Sequence, residues 1–272
     1  MSYIVICAVA LVVSGLTLFS GFGLGTLLMP AFALFFPVEI AVGATAFVHL
    51  ANNVFKAVLV GRKADFGIVL KFALPAAAAA VLGALLLNYF AGLAPVFDYA
   101  WGGRSFAVTP VKLVVAVLIL GFALIELSSR FEKLSFDTRF IPLGGLISGF
   151  FGGLSGHQGA LRSAFLLRAG LAKEAFVSTG VLCAVAIDVS RLAVYGVTLF
   201  SKQLAALQSQ GIAGLVVAGS LAAFLGAFIG KRMLKKVTMR GIQVTVGAML
   251  LLLAVAPGDG PRLTDFALCP AN

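Results

Sequence analysis

From Phe72 to Phe97 the chain carries no charged residue, and an apolar run of that length has one stable home. About 20 such residues span the hydrocarbon of a bilayer, where a helix satisfies its own backbone N–H and C=O groups. Similar stretches recur along the whole of the 272 residues, and no polar segment between them is long enough to fold as an aqueous domain. With 61% hydrophobic against 11% charged residues, the composition is that of an integral membrane protein and excludes a soluble enzyme. The stretch Met1 to Leu18 has no basic segment ahead of it and leads into further apolar sequence, so it reads as a retained membrane helix and not as a cleaved signal. The pattern predicts an all-α polytopic bundle, with helices near 2–20, 24–37, 39–62, 68–92, 110–129, 141–155, 159–170, 172–196, 207–230 and 239–256.

Two of these, 24–37 and 159–170, are too short to cross, because about 14 residues at ~1.5 Å each reach only some 20 Å. Each follows a glycine-rich break, Ser20-Gly21-Phe22-Gly23-Leu24-Gly25 in one case and Gly152-Gly153-Leu154-Ser155-Gly156-His157-Gln158-Gly159 in the other. A displacement of 134 residues lays Ser14-Gly15 on Ser148-Gly149, Gly25 on Gly159, Leu27 on Leu161, Ala41 on Ala175 and Thr45 on Thr179. The order break, short helix, long helix, loop, long helix recurs with these identities, which predicts two repeats of about five helices each.

Basic residues then set the orientation. The loops holding Arg62, Lys63 and Lys71, those from Arg130 to Arg139, and those from Lys231 through Lys236 to Arg240 are cytoplasmic by the positive-inside rule. The sparsely charged segments 93–109 and 197–206 are then outside, with Tyr99 and Trp101 as interfacial anchors. The loop after the third helix of the first half faces inward and its counterpart in the second half faces outward, so the repeats are inverted. The expected organisation is repeat one over 1–130, a cytoplasmic connection over 131–140, repeat two over 141–258 and a tail over 259–272, with both termini outside. The formal charge of +10 is accounted for by these loops, and its placement argues against nucleic-acid binding. Cys7, Cys183 and Cys269 are far apart with no CxxC spacing, which implies neither a disulfide nor a metal, and nothing in the sequence implies a cofactor.

Inverted repeats with broken helices are the architecture of secondary transporters, which bind substrate near the bilayer midplane. If both short helices are re-entrant, the N-termini that begin near Gly23, Gly25 and Gly159 meet there, and two positive helix ends facing one cavity form an anion site. The other reading of these glycines is close helix packing. Ionisable and polar groups inside spans are functional candidates because they are expensive to insert. In the third helix Thr45, His49, Asn52, Asn53 and Lys56 follow one another at helical spacing, and Thr179, Asp188 and Arg191 occupy similar ground in the second half. Lys56 is expected to draw anions in from the cytoplasmic side and Arg191 to offer a step toward the exit, the alternative for both being snorkelling to the interface. His157, Gln158 and Arg162 sit at the second break, and a guanidinium beside a helix N-terminus is electrostatically misplaced unless an anion lies between them. Asp188 is the candidate for carrying a coupling proton or sodium, with His49 and Glu126 as the other intramembrane carriers, Glu126 lying close to the cytoplasmic end.

The glycine break before Gly25-Thr26-Leu27-Leu28-Met29-Pro30, the run Ala41-Val42-Gly43-Ala44-Thr45, and the second copy from Gly152-Gly153 through Ala175 and Thr179 resemble the TauE/SafE sulfite-exporter family of bacterial and archaeal permeases. The resemblance covers about residues 4–256. It implies transport of sulfite, sulfoacetate, other sulfonates or related sulfur anions across the cytoplasmic (inner) membrane, with a passive anion channel or an importer of thiosulfate or other organosulfur compounds as the alternatives. The chain departs from the family pattern where His157-Gln158 interrupts the second glycine run and Ala164 stands at the place of Pro30. Export of an anion from a cell that is negative inside is favoured by ~2.3 kcal/mol per charge per 100 mV, whereas uptake needs a coupling ion. The lipid bilayer and a small anion are the expected partners, and a homo-oligomer is compatible with the sequence. The only two histidines, His49 and His157, come with no HExxH or Ser-Lys pattern, so catalysis is not expected.

Overall fold

The chain runs through α1 (Ser2–Leu16), α2 (Leu24–Ala33), α3 (Val38–Val60), α4 (Phe66–Ala91), a hairpin of β1 (Phe97–Trp101) and β2 (Arg104–Val108), α5 (Pro110–Leu127), α6 (Ile141–Ser155), α7 (Gly159–Leu166), α8 (Lys173–Tyr195) and α9 (Ile212–Met233). The computed structural model describes residues 1–16, 24–101, 104–127, 135–197 and 211–233. The expected helix 239–256, the loop 198–206, the tail 259–272 and Gly23 lie outside the described residues. Within them, α3, α4, α8 and α9 are each long and apolar enough to cross a membrane. Large apolar side chains such as Leu70, Leu74 and Leu82 on α4 and Val217, Leu221 and Leu225 on α9 are exposed, as a lipid-facing surface requires. The molecule is an all-α, polytopic membrane bundle.

The two short helices are there and are shorter than the apolar pattern predicts. Helix α2 has 10 residues and α7 has 8, about 15 and 12 Å of helix. A turn and Pro37 separate α2 from α3, and after α7 the chain leaves helical geometry before Gly170, whose φ of 70° is left-handed. The segment 93–109, expected as a plain loop, holds an antiparallel hairpin running from the pair Phe97↔Val108 to the pair Trp101↔Arg104. Its signal was present in the sequence: Phe97, Tyr99 and Trp101 alternate ahead of Gly102-Gly103, a short strand followed by a turn pair. Lys112 at the start of α5 is buried and donates to the Ala107 carbonyl at 2.8 Å, tying the hairpin to the bundle.

Packing exchanges the halves. Helix α6 lies on α4, α1 lies on α9, and α3 lies on α8. If α6 corresponds to α1, α8 to α3 and α9 to α4, as the expected repeat has it, the α4–α6 and α1–α9 contacts are counterparts of one another. Two seams are made of glycine. On α6, Gly145, Gly149 and Gly153 face the carbonyls of Phe72, Ala76 and Ala80, and a Cβ at any of them would collide with backbone. On α9, Gly226 and Gly230 meet the carbonyls of Leu11 and Gly15 of α1 in the same way. Such close approach replaces the hydrophobic drive that lipid does not supply.

Helices α3 and α8 run antiparallel. Ser178 hydrogen-bonds the Val60 carbonyl, Asp65 N–H donates to Thr179 Oγ1 at 2.9 Å, and Lys63 pairs with Glu174. Asp65 also caps α4 by accepting from Ile68 N–H at 3.0 Å. One end of the α3–α8 pair is therefore fastened through the connection between α3 and α4.

Candidate functional site

Eleven residues separate His49 from Val60, and ten separate Ser178 from Asp188. At ~1.5 Å per residue both lie about 15–16 Å from the fastened end, half of the ~30 Å hydrocarbon thickness. They meet there. A carboxylate can only accept, so the 2.7 Å contact between Asp188 Oδ2 and His49 Nδ1 places a proton on Nδ1. Asn53 Nδ2 donates to the same carboxylate oxygen at 3.1 Å and passes 3.0 Å from His49 Nδ1. Asp188 Oδ1 accepts from Gln158 Nε2 at 2.9 Å and from Arg191 Nε and Nη2 at 3.1 and 2.7 Å. Arg191 Nη1 reaches the Gly152 carbonyl at 3.2 Å, and Tyr195 donates to the Gly153 carbonyl. Asp188 and Arg191 are fully buried.

The second break supplies the remainder. Helix α6 ends where Gly156 takes a φ of 84° and returns its N–H to the Gly152 carbonyl, a left-handed closure that suits glycine. His157 and Gln158 follow, both buried, and Gly159 opens α7. Gln158 Oε1 accepts from Arg162 Nη1 at 3.1 Å, so this amide bridges the Asp188 carboxylate to the Arg162 guanidinium. The first break meets the second, since a Cβ on Gly25, in the first turn of α2, would lie 3.0 Å from the Gly156 carbonyl oxygen. His157 stacks flat on Phe122 of α5, with ring centroids 5.2 Å apart, and its Nδ1 is 3.1 Å from Ser155 Oγ. Its Nε2 is buried with no hydrogen-bond partner among the described residues.

On the side of α3 facing α1 and α9, Asn52 presents Oδ1 to Lys56 Nζ at 3.2 Å, and its Nδ2 meets Ser14 Oγ at 3.1 Å and the Ala223 carbonyl at 3.3 Å. Lys56 is buried at 5% exposure and its charge repels that of Arg162. Neither Lys56 nor Arg191 snorkels, because both are inside the bundle. Arg191 is instead paired with Asp188, three residues before it, whereas the residue three before Lys56 is the neutral Asn53.

The structure thus brings together His49, Asn53, Gln158, Arg162, Asp188 and Arg191, with Asn52 and Lys56 on the adjoining face and Gly25 at the meeting of the breaks. Thr179 is elsewhere. Its hydroxyl accepts from the backbone of Asp65 at the fastened end, and nine residues of helix, about 13 Å, separate it from Asp188. Thr45 lies one turn before His49 with its Oγ1 buried and without a hydrogen-bond partner among the described residues. Ser14 and Tyr195 join the network although neither stands out by composition; the signal for Ser14 was its place in the repeated Ser-Gly pair. Among the described residues no three potential metal-ligating side chains of His, Cys, Asp or Glu converge.

Among the described residues the buried cations Lys56, Arg162 and Arg191 lie around the buried Asp188 carboxylate, which pairs directly with Arg191, and burying charge inside a bundle is expensive. No curated protein and no solved structure gives a significant match to the chain. Residues 6–256 match the family model of the Sulfite exporter TauE/SafE, and the chain belongs to that family of membrane transporters of sulfur anions.

Proposed function

We propose that the protein is a secondary permease that carries small sulfur-containing anions, such as sulfite, sulfoacetate or other sulfonates, across the cytoplasmic membrane of a bacterium or archaeon. The anion binds near the midplane between the N-termini of α2 and α7, against Arg162 and Lys56, with the backbone around Gly25 and Gly159 and the amides of Asn52, Asn53 and Gln158 as polar neighbours. Arg191 and Asp188 hold the frame of this site. The carrying observation is that two cations, Arg162 and Lys56, are buried in the bundle beside the meeting point of two helix breaks.

Thermal unfolding of the purified protein against sulfite, thiosulfate, sulfoacetate, sulfate, chloride and a neutral control tests the reading, since a ligand of the folded state stabilises it by RT ln(1 + [L]/Kd). A selective upward shift with a sulfur oxyanion is expected. Equal curves for every anion and the neutral control would overturn the proposal. Counter-flow of labelled sulfite in proteoliposomes then separates a carrier from a passive channel, because only a carrier exchanges one anion for another.

A further inference from the structure

Asp188 is poorly placed to take up a proton. Its Oδ1 accepts three N–H contacts, from Gln158 Nε2, Arg191 Nε and Arg191 Nη2, and its Oδ2 accepts from His49 and Asn53. Every partner is an N–H donor, so a proton on either oxygen would displace one of them. His49 differs. Its Nδ1–H is fixed toward the carboxylate, which leaves Nε2 with a free lone pair in the neutral tautomer, and its side chain keeps 11% exposure in an otherwise closed cluster. A carboxylate that orients one ring nitrogen and leaves the other to exchange protons is a recurrent device.

The groups facing His49 make its charge depend on what fills the site. From α8 come Asp188 and Arg191, from α7 comes Arg162, and from its own helix comes Asn53. Helix α2, packed on α3, has no titratable residue, and on α9 Lys231 lies beside the Leu59 carbonyl near the far end of α3. Without the anion, an imidazolium would add a further positive charge beside those of Arg191 and Arg162. With an anion against Arg162 the repulsion on that added charge is weakened, and by reciprocity the proton strengthens the anion's binding by the same factor.

We infer that His49 is the binding site of a co-transported proton, taken from water onto Nε2 as the anion binds and returned to water when it leaves. Asp188 is then a positioning residue that sets the tautomer. This rests on the anion site proposed above. It gives uptake against the membrane potential a coupling ion and assigns that ion to a residue.

Titration calorimetry of thiosulfate into the detergent-purified protein, in buffers of different ionisation enthalpy at about pH 7, reads the protons taken up per anion. Thiosulfate does not titrate in this range, so uptake reports on the protein. About half a proton or more per anion is expected, with affinity falling about threefold per pH unit for each half proton. His49→Gln should bind thiosulfate with no uptake. Wild-type binding without proton uptake would overturn the inference and leave the anion site standing, and so would His49→Gln binding with the wild-type proton number. If neither thiosulfate nor sulfite binds the wild type at all, the anion site fails and the inference with it. The wild-type buffer comparison decides the matter even where the variant does not fold, and uptake that depends on sodium in place of pH would overturn the assignment to a proton.

Discussion

Asp188 binds more of the buried cluster than any neighbour does, because it neutralises Arg191 while orienting His49, Asn53 and Gln158. Removing that charge leaves a guanidinium in the bundle with no carboxylate beside it, and breaking a buried pair in this way costs about 3–5 kcal/mol. Asp188→Asn is therefore expected to lower the thermal midpoint of the purified protein markedly, whether or not anion is present. Arg162 behaves in the opposite manner. It is held by the neutral Gln158 amide, and its loss removes a charge-assisted contact to the anion worth ~1.5–3 kcal/mol, a weakening of binding by about tenfold to a hundredfold. Arg162→Ala should therefore remain monodisperse in detergent while losing anion-dependent stabilisation, and unchanged affinity would remove Arg162 from the site. The sequence pointed to most of these side chains, since polar residues in apolar spans are few. It did not separate Thr179, which serves the backbone of Asp65, from Asp188, nine residues away on the same helix. That division depends on which residues of the facing helix stand opposite, and α3 alone does not reveal it.

At the scale of elements, the α3–α8 crossing and the two glycine seams carry the architecture. Lys56 lies about two turns from His49 and Arg191 about one turn from Asp188, toward opposite ends of the pair, and the two are chemically unlike: Arg191 has the carboxylate of Asp188 three residues before it and Lys56 the amide of Asn53. Close glycine packing leaves no room for side chains, and filling such a contact costs roughly 1–3 kcal/mol even where the surroundings yield. Gly149→Val, directed at the Ala76 carbonyl, should lower the thermal midpoint by more than the same change at Gly121, around which a Cβ meets nothing within 4 Å. Equal losses at both positions would show that the seam is not a tight contact in the folded protein. Spans, breaks and short helices were legible from apolar run lengths and from the spacing of glycines. The hairpin over 97–108 was not read, although its alternation was visible, because a strand pair is rare beside so many helices and the aromatic residues had another explanation as interfacial anchors.

For the molecule as a whole, the inverted arrangement has a direct test in labelling. Cysteines introduced at Lys63 and Val197, each exposed after the third helix of its half, should react with membrane-impermeant maleimide from opposite sides of the membrane, Lys63→Cys from the cytoplasm. Reaction from the same side would end the inverted reading. The expectation of a repeat came from breaks and helix lengths that recur at one displacement, but the way the halves interlock was not legible, since sparse identities say nothing about which helix touches which. Each seam joins a helix of one half to a helix of the other: α6 to α4, and α1 to α9. The hand-over along the chain is thus not where the molecule can part. A rocking motion that separated residues before 130 from those after it would tear both seams together, so the mechanical units are pairs drawn from both halves. The short helices α2 and α7 belong to neither seam, so a motion that keeps both seams intact can still shift them against these paired walls.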